Sequence, residues 1–516
     1  MKRLKFLIAA ALCAAAAPAA ADPLPKPEAI ALPEERALLE RFLQALGRPA
    51  TATEARLGFD ALLADLPQPT RFRGLVQFFR ATALAAENRP RDAEDAIAES
   101  IRLLPQYSAP LFVASQISAF NDRADLGSDY LIRASRIDPQ ILNQLGDYEL
   151  GNILRRLGEA NDRKRALALS ERLLEIGWNR GSYRTVSSMA MNVIEARIDR
   201  GDAAGAARLV PKIVSPSSFA RLMTETKFRP LAAAVEGWAG PNLEKQWPIF
   251  LDQARAEWEA SNDFEAGRAY ADALASAGHD RTLIATFLPL FHRQIEPKQF
   301  QLLFIAVPVA NALARQGRWE EAFELFDKAL AAWPQGETAN ALNLTANRAR
   351  LQFFKGDFEA AVAQLDKDIA SAAKWGGQVN SGALATMHLY RACALEQLGR
   401  RAEAVTSSAI VTSRKAANPT GFAYLQLCRD DPAFARAALM QALEDPEARD
   451  QVIAWMQPTD EETYDSPFAR TMAGRARQLK ADAALVAAVG KYGRILPRAI
   501  NATAPPEKAP ASAAGL

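Results

Sequence analysis

Apolar and small residues recur along this chain in steps of three and four, and strict apolar–polar alternation is rare. In GRWEEAFELFDKALAAWP, Gly317 to Pro334, the residues Trp319, Ala322, Phe326 and Ala329 fall in that rhythm with charged residues between them. This is the period of a helix with one buried face. Ala is very frequent while Val, Ile and Thr form few runs, which favours helix over strand. Ala at a contact position lets two helix backbones approach closely, and a ring one turn away fills the gap to the next helix. Gly317 supplies a turn before the helix and Pro334 a stop after it.

The same pattern returns. KGDFEAAVAQL places Gly356, Phe358, Ala361 and Leu365 in the register of Gly317, Trp319, Ala322 and Phe326, with Ala349 matching Ala310 upstream. LGRRAEAV does so with Gly399, Ala404 and Ala392, and ENRPRDAEDAIAESIRLLP with Ala93, Ile97, Pro105 and Ala81. Pro105 and Pro139 stand 34 residues apart. Weaker units centre on Gly158, Gly201 and Asn262. This register resembles the tetratricopeptide repeat, whose unit is a pair of antiparallel helices. The resemblance implies an all-α superhelical solenoid in which stacked pairs bury the face that one pair cannot bury alone. It is closest over 300–415 and 74–140. The steps from Gly317 to Gly356 and on to Gly399 exceed 34 residues, so the excess is expected in loops such as Ala373–Gly382. An irregular helical bundle is the competing fold.

The opening MKRLKFLIAAALCAAAAPAAAD has a basic start, a short apolar run and small residues at Ala19–Ala21. It predicts a signal peptide over 1–21 and a periplasmic or secreted chain. A retained anchor and a lipid on Cys13 are the alternatives, although Leu12 stands where lipidation needs a small residue. No other stretch is long and apolar enough to span a bilayer, so no integral span is expected after cleavage. The charge of +2 becomes −1 once Lys2, Arg3 and Lys5 leave, with 59 basic residues against 60 acidic ones. That is no footprint for nucleic acid. A Pro-rich lead-in is expected over 22–33, helical repeats over 34–215, an irregular joint over 216–249, further repeats over 250–417, a helical cap over 418–500 and a disordered tail over 501–516. Cys393 and Cys428 remain after cleavage; each reads as a small buried hydrophobe, with a bridge between them left open by the compartment.

Candidate chemistry is sparse. His279, His292 and His388 have no partner at metal-ligand spacing, so no metal, cofactor or catalytic residue is expected. WGGQVNSG lacks the strand and the Lys-Ser/Thr of a phosphate loop. Ser371–Lys374 matches S-x-x-K without its companion motifs. TDEETYD, with Asp460, Glu461, Glu462 and Asp465, lacks the spacing of a calcium loop and reads as solvated.

By the resemblance, the first helix of each pair lines a groove. That assigns Phe304, Val307, Asn311 and Arg315, then Asn343, Asn347, Arg350 and Phe354, then Leu389, Tyr390 and Gln397. Amides there can hold a peptide backbone, Arg a carboxylate, and rings add contact area. Some relatives clamp a C-terminal carboxylate with cations beside two amides. This chain keeps Asn311 and Asn347 but has Val307, Thr386 and Tyr390 where those cations would be, which favours an internal peptide segment. The same residues also suit an ordinary solvated face. The expectation is a non-catalytic scaffold for a protein or peptide partner, in envelope assembly. The alternative is an accessory module of a glycan- or peptidoglycan-handling complex.

Overall fold

The computed structural model describes residues 23–47, 51–178, 182–261, 264–292, 303–333, 341–375, 379–458 and 464–507. The signal at 1–21, the stop at Pro334 and the turn at Asn262 lie outside the described residues. The chain forms two units, the first ending at Arg200 and the second beginning at Gly201. Among the described residues the regular elements are helices, and the only strand-like feature is one isolated antiparallel bridge between Glu225 and Gly493. Helices pair as hairpins and the pairs stack, giving an all-α solenoid.

In the first unit the clearest pairs are α1 (Arg71–Ala86) with α2 (Pro90–Leu103) and α3 (Ser108–Phe120) with α4 (Ala124–Ile137). The second unit holds α5 (Asp280–Phe287), then α6 (Ala306–Arg315) paired with α7 (Trp319–Ala331), α8 (Ala341–Lys355) with α9 (Phe358–Trp375), and α10 (Ser381–Gln397) with α11 (Arg401–Ser413). It continues through α12 (Pro419–Cys428), α13 (Pro432–Glu444), α14 (Pro446–Met456), α15 (Pro467–Lys480) and α16 (Ala483–Val489). The alanines expected at helix contacts are fully buried. Ala81, Ala93, Ala310, Ala322, Ala329, Ala349, Ala361, Ala392 and Ala404 are all 0 % exposed. A larger side chain at any of them would force neighbouring backbones apart.

The turn inside each pair has one construction. A residue adopts the left-handed conformation, and the N–H of the next residue bonds the carbonyl five residues earlier. This joins Arg89 to Leu84, Arg123 to Ser118, Asp162 to Leu157, Arg318 to Leu313, Asp357 to Gln352, Arg400 to Leu395 and Asp431 to Gln426. The left-handed residue is Asn88, Asp122 and Asn161 in the first unit, and Gly317, Gly356, Gly399 and then Asp430 in the second. Asn and Asp tolerate this conformation better than other non-glycine residues, so they can stand in for Gly. Two expectations shift as a result. The turn read at Gly158 is made by Asn161, while Gly158 lies inside the helix Asp147–Glu159. The pair α12–α13 carries the same turn, so this repeat geometry runs beyond 417 into the segment read as a cap.

Segments expected to be loose are packed. Pro25 and Ile30 of the lead-in are buried, and the Pro23 carbonyl accepts from the Ala109 N–H of α3. The irregular stretch 216–249 meets the C-terminal part of its own unit. Thr226 N–H bonds the Tyr492 carbonyl, Arg494 N–H bonds the Thr224 carbonyl, and Arg221 pairs with Asp450 at 3.0 Å. The second unit is thereby tied from its first elements to its last. Residues 501–507, read as disordered, lie on that body instead. Trp247 Nε1 donates to the Ile500 carbonyl at 2.7 Å, Thr503 Oγ1 to the Asn242 carbonyl at 2.6 Å, and Glu507 Oε1 accepts from Thr282 N at 2.6 Å. The Pro/Ala composition hid these bonds, because one uses a backbone carbonyl that any sequence carries and the other two rest on single side chains, Thr503 and Glu507.

Candidate functional site: the inner helix face of the second unit

The first helices of successive pairs, α6, α8, α10 and α12, contact one another and form a row. The residues assigned to the groove by sequence all lie on the first three, except Phe304, which sits just before α6. The structure sorts them into three groups.

Arg315 and Gln397 hold the row together. Arg315 makes a two-pronged ion pair with Asp280 of α5, through Nη2 at 2.6 Å and Nε at 2.7 Å, and the Asp280 side chain is 9 % exposed. Gln397 Nε2 donates to the Cys428 carbonyl of α12 at 3.0 Å. Beside it, Cys393 and Cys428 are joined by a disulfide, which crosslinks α10 to α12. Both cysteines are buried, and the pairing left open by sequence is resolved in favour of the bridge.

Asn343, Asn347 and Phe304 stand apart from the centre. Asn347 Nδ2 donates to Asn343 Oδ1 and to its carbonyl, each at 2.7 Å, so the two amides satisfy one another on an exposed patch. Phe304 packs edge-on against Trp333 with ring centres 5.8 Å apart.

Asn311, Arg350, Phe354 and Tyr390 come together. Arg350 Nη2 donates to Asn311 Oδ1 at 2.7 Å, and the guanidinium also bonds the Tyr390 hydroxyl. Burial works against the charged form of Arg350, but neighbouring Tyr464 and Tyr390 outweigh it, and the pKa ends above its usual value. Burial pushes the hydroxyls of Tyr390 and Tyr424 up, against the pull of the nearby guanidinium. Arg350 is thus a permanent cation among neutral phenols. The Phe354 and Tyr390 rings lie 5.8 Å apart, and both pack on Phe353.

A stretch of the chain itself already lies across this cluster. The Tyr464 hydroxyl donates to Asn311 Oδ1 at 3.2 Å, and its ring lies 4.9 Å from Phe354 and 6.0 Å from Trp319. Trp319 Nε1 donates to the Asp465 carbonyl at 3.2 Å, and Ser466 Oγ to the Phe354 carbonyl at 2.5 Å. Ser466 then caps α15 through Ala469 N–H, and Phe468 packs 4.9 Å from both Phe353 and Phe358. Residues 464–466 therefore lie in the groove as a bound peptide would, held by an amide, a carbonyl and rings. The acidic run TDEETYD falls partly outside the described residues; of its described members Asp465 is exposed, as expected of a solvated loop, but Tyr464 is half-buried.

Sequence reasoning missed Tyr424 and Tyr464. Tyr424 stands six residues before the left-handed Asp430, as Asn311 and Arg350 stand six before Gly317 and Gly356. Reading Asp430 as a turn would have placed Tyr424 in their column. Tyr464 belongs to no repeat, and only the return of the chain brings it there. The histidines are placed elsewhere: His279 Nε2 lies 2.7 Å from the Pro505 carbonyl, His388 Nδ1 lies 3.1 Å from Ser407 Oγ, and His292 is exposed. Among the described residues no group of three or more His, Cys, Asp and Glu could hold a metal ion, and no helix is long and apolar enough to cross a membrane.

A family model described as tetratricopeptide repeat matches residues 302–371, which span α6 to α9. No curated protein matches the chain in sequence. Among solved structures, it is similar to the APC/C hetero-tetramer Cut9-Hcn1, at 13% identity over 86% of this chain and 97% of that one, with a TM-score of 0.29. It is also similar to the apo form of the quorum sensor NprR from B. thuringiensis, at 13% identity over 74% and 99%, with a TM-score of 0.35. A third is Naa15/Naa10 bound to HypK-THB, at 13% identity over 82% and 64%, with a TM-score of 0.24. The matched residues are those in which Gly317, Gly356 and the buried alanines recur in register, and it is this segment, α6 to α9, that carries tetratricopeptide repeats.

Proposed function

We propose that this chain is a non-catalytic scaffold of the periplasm or the secreted fraction, which holds a protein or peptide along the α6–α8–α10 face, in envelope assembly. The observation that carries the reading is the chain's own Tyr464–Ser466 lying on that face. Asn311, Trp319 and the Phe354 carbonyl bind that stretch through bonds that an extended segment of another protein can also make. The compartment is supported by the signal-like opening and by the buried Cys393–Cys428 bridge, which persists where thiols are oxidised. The rings of the face turn on one another, leaving less flat aromatic surface than a glycan platform requires.

The test is co-purification from envelope extracts by wild type and by the triple variant N311A/N347A/R350A. Loss of specific partners in the variant, with its helical content intact, supports the reading; retention of every partner removes it. Thiol labelling of protein isolated without reductant tests the compartment. Cys393 and Cys428 are expected to be unreactive, and two free thiols would place the chain in a reducing compartment.

A further inference from the structure

The groove holds a guanidinium that no carboxylate among the described residues compensates. Arg350 is bonded by Asn311 Oδ1 and the Tyr390 hydroxyl, both neutral, and its buried Nε has no partner. Among the described residues no carboxylate forms an ion pair with it. The nearest like charge, Arg315, is already neutralised by Asp280. A second buried group nearby is also unpartnered: the Tyr424 hydroxyl, which stands within electrostatic reach of Arg350, Tyr390 and Tyr464. Tyr390 accepts from Arg350, which leaves its own O–H free to donate. Three donors of a cationic site, Arg350 Nε, the Tyr390 hydroxyl and the Tyr424 hydroxyl, thus have no acceptor. Buried guanidinium groups are ordinarily paired, and buried donors are ordinarily satisfied. Water would satisfy donors but would not neutralise the charge.

We propose that Arg350, Tyr390 and Tyr424 form a receptor for one carboxylate, with Asn311 fixing the guanidinium and Tyr464 forming a wall. A carboxylate supplies the missing negative charge and has lone pairs enough for all three donors. The carboxylate belongs either to a small organic acid or to an Asp or Glu side chain of a bound peptide; the peptide case rests on the groove reading above. The residues differ from the two-amide, several-cation clamp of some relatives, since here one Arg and two phenols do the work.

The experiment uses the full-length mature chain. Thermal unfolding is followed in sodium acetate and sodium succinate against sodium chloride at matched ionic strength. Calorimetry then compares acetyl-Gly-Asp-Gly-amide with acetyl-Gly-Asn-Gly-amide. The wild type is expected to gain thermal stability in the carboxylate salts and to bind the Asp peptide over the Asn peptide by roughly tenfold or more. R350Q, which keeps a planar polar head on a shorter side chain and removes the charge, is expected to lose both responses. Y424F keeps the fold and is expected to weaken both. R350K, which retains charge without the planar fork, is expected to recover them only in part. The proposal is overturned if wild type responds no more to carboxylates than to chloride, or if R350Q responds as wild type does. If the small acids act through Arg350 but no peptide binds, the receptor stands and the peptide reading falls. If envelope partners bind equally to R350Q and wild type and carboxylates have no effect, the groove reading stands and the receptor falls.

Discussion

The two units cover their inner helix faces by different means. In the first, the lead-in runs onto α3, which is buried on all sides apart from Phe120 at its end. The bond from Ala109 N–H to Pro23 is backbone to backbone, and the neighbouring Leu24 packs on the core. In the second, residues 464–468 lie on α6 and α8 through side-chain bonds and rings, and beneath them Arg350 has no carboxylate partner among the described residues. The ties between repeats differ likewise. The first unit places them on the second helices of its pairs, as with Arg165 to Asp129 at 3.1 Å and Arg172 to the Ser135 carbonyl at 2.8 Å. The second also has ties on second helices, as with Arg400 to Glu359 at 2.9 Å, and adds ties between first helices through Arg315–Asp280, Arg350–Asn311, Gln397–Cys428 and the disulfide. An apolar closure finishes a core. A polar closure over a guanidinium with no carboxylate partner among the described residues leaves a charge for a ligand to answer.

Substitutions can break this comparison, and the largest effect belongs to Arg315. R315A leaves Asp280 buried without its cation and should lower the stability of the second unit by about 3–5 kcal/mol in urea unfolding. R165A, on the outside of the first unit, should have a far smaller effect, since its ion pair with Asp129 is exposed; equal costs would erase the distinction between the two sets of ties. Next comes the crosslink. C393S/C428S opens a loop with a sequence separation of 35 and should cost about 2–4 kcal/mol. The transition of the first unit, which has no cysteine after residue 21, should not move. The turns follow. Gly356 sits at φ +99° with open space around its Cα, so G356A should cost about 1–2 kcal/mol from backbone strain alone. N88G should be within a few tenths of neutral. A large loss in N88G would mean that the Asn side chain is needed beyond its backbone tolerance.

The smallest effect is in pH. Burial, followed by nearby Arg391, depresses the His388 pKa below 6.5. The unfolded chain then binds the proton more readily, so this contribution to stability is present above about pH 6.5 and is lost as pH falls through it. All three histidines lie after Gly201. Acid destabilisation between pH 7 and 5.5 should therefore fall on the second unit and shrink in H388N; an equal slope in H388N would assign the effect to another group.

Much of the fold was legible because repeat chemistry is local. A buried Ala at 310, 322 or 329 and a Gly at 317 or 356 act through neighbours a few residues away, and their spacing is written in the chain. The turns at Asn88, Asp122, Asn161 and Asp430 were harder, since Asn and Asp also suit helix caps and solvated loops. The groove residues were half legible. Their places on the first helices of the pairs could be read, but whether an Arg meets a ligand or an Asp from the previous helix depends on residues far away in sequence. Arg315 found Asp280, while Arg350 found only Asn311 and phenols.

The sequence by itself determined that the chain is helical, that its helices pair and stack, and which alanines sit at the contacts, because these follow from side-chain size at a fixed period. Only the tertiary structure decided that Cys393 and Cys428 meet, that 501–507 are held, and that Tyr464 lies over Asn311 while Arg350 stays unbalanced. Such pairings join residues up to 261 positions apart. They are set by where the backbone returns, and no local pattern of residues records that.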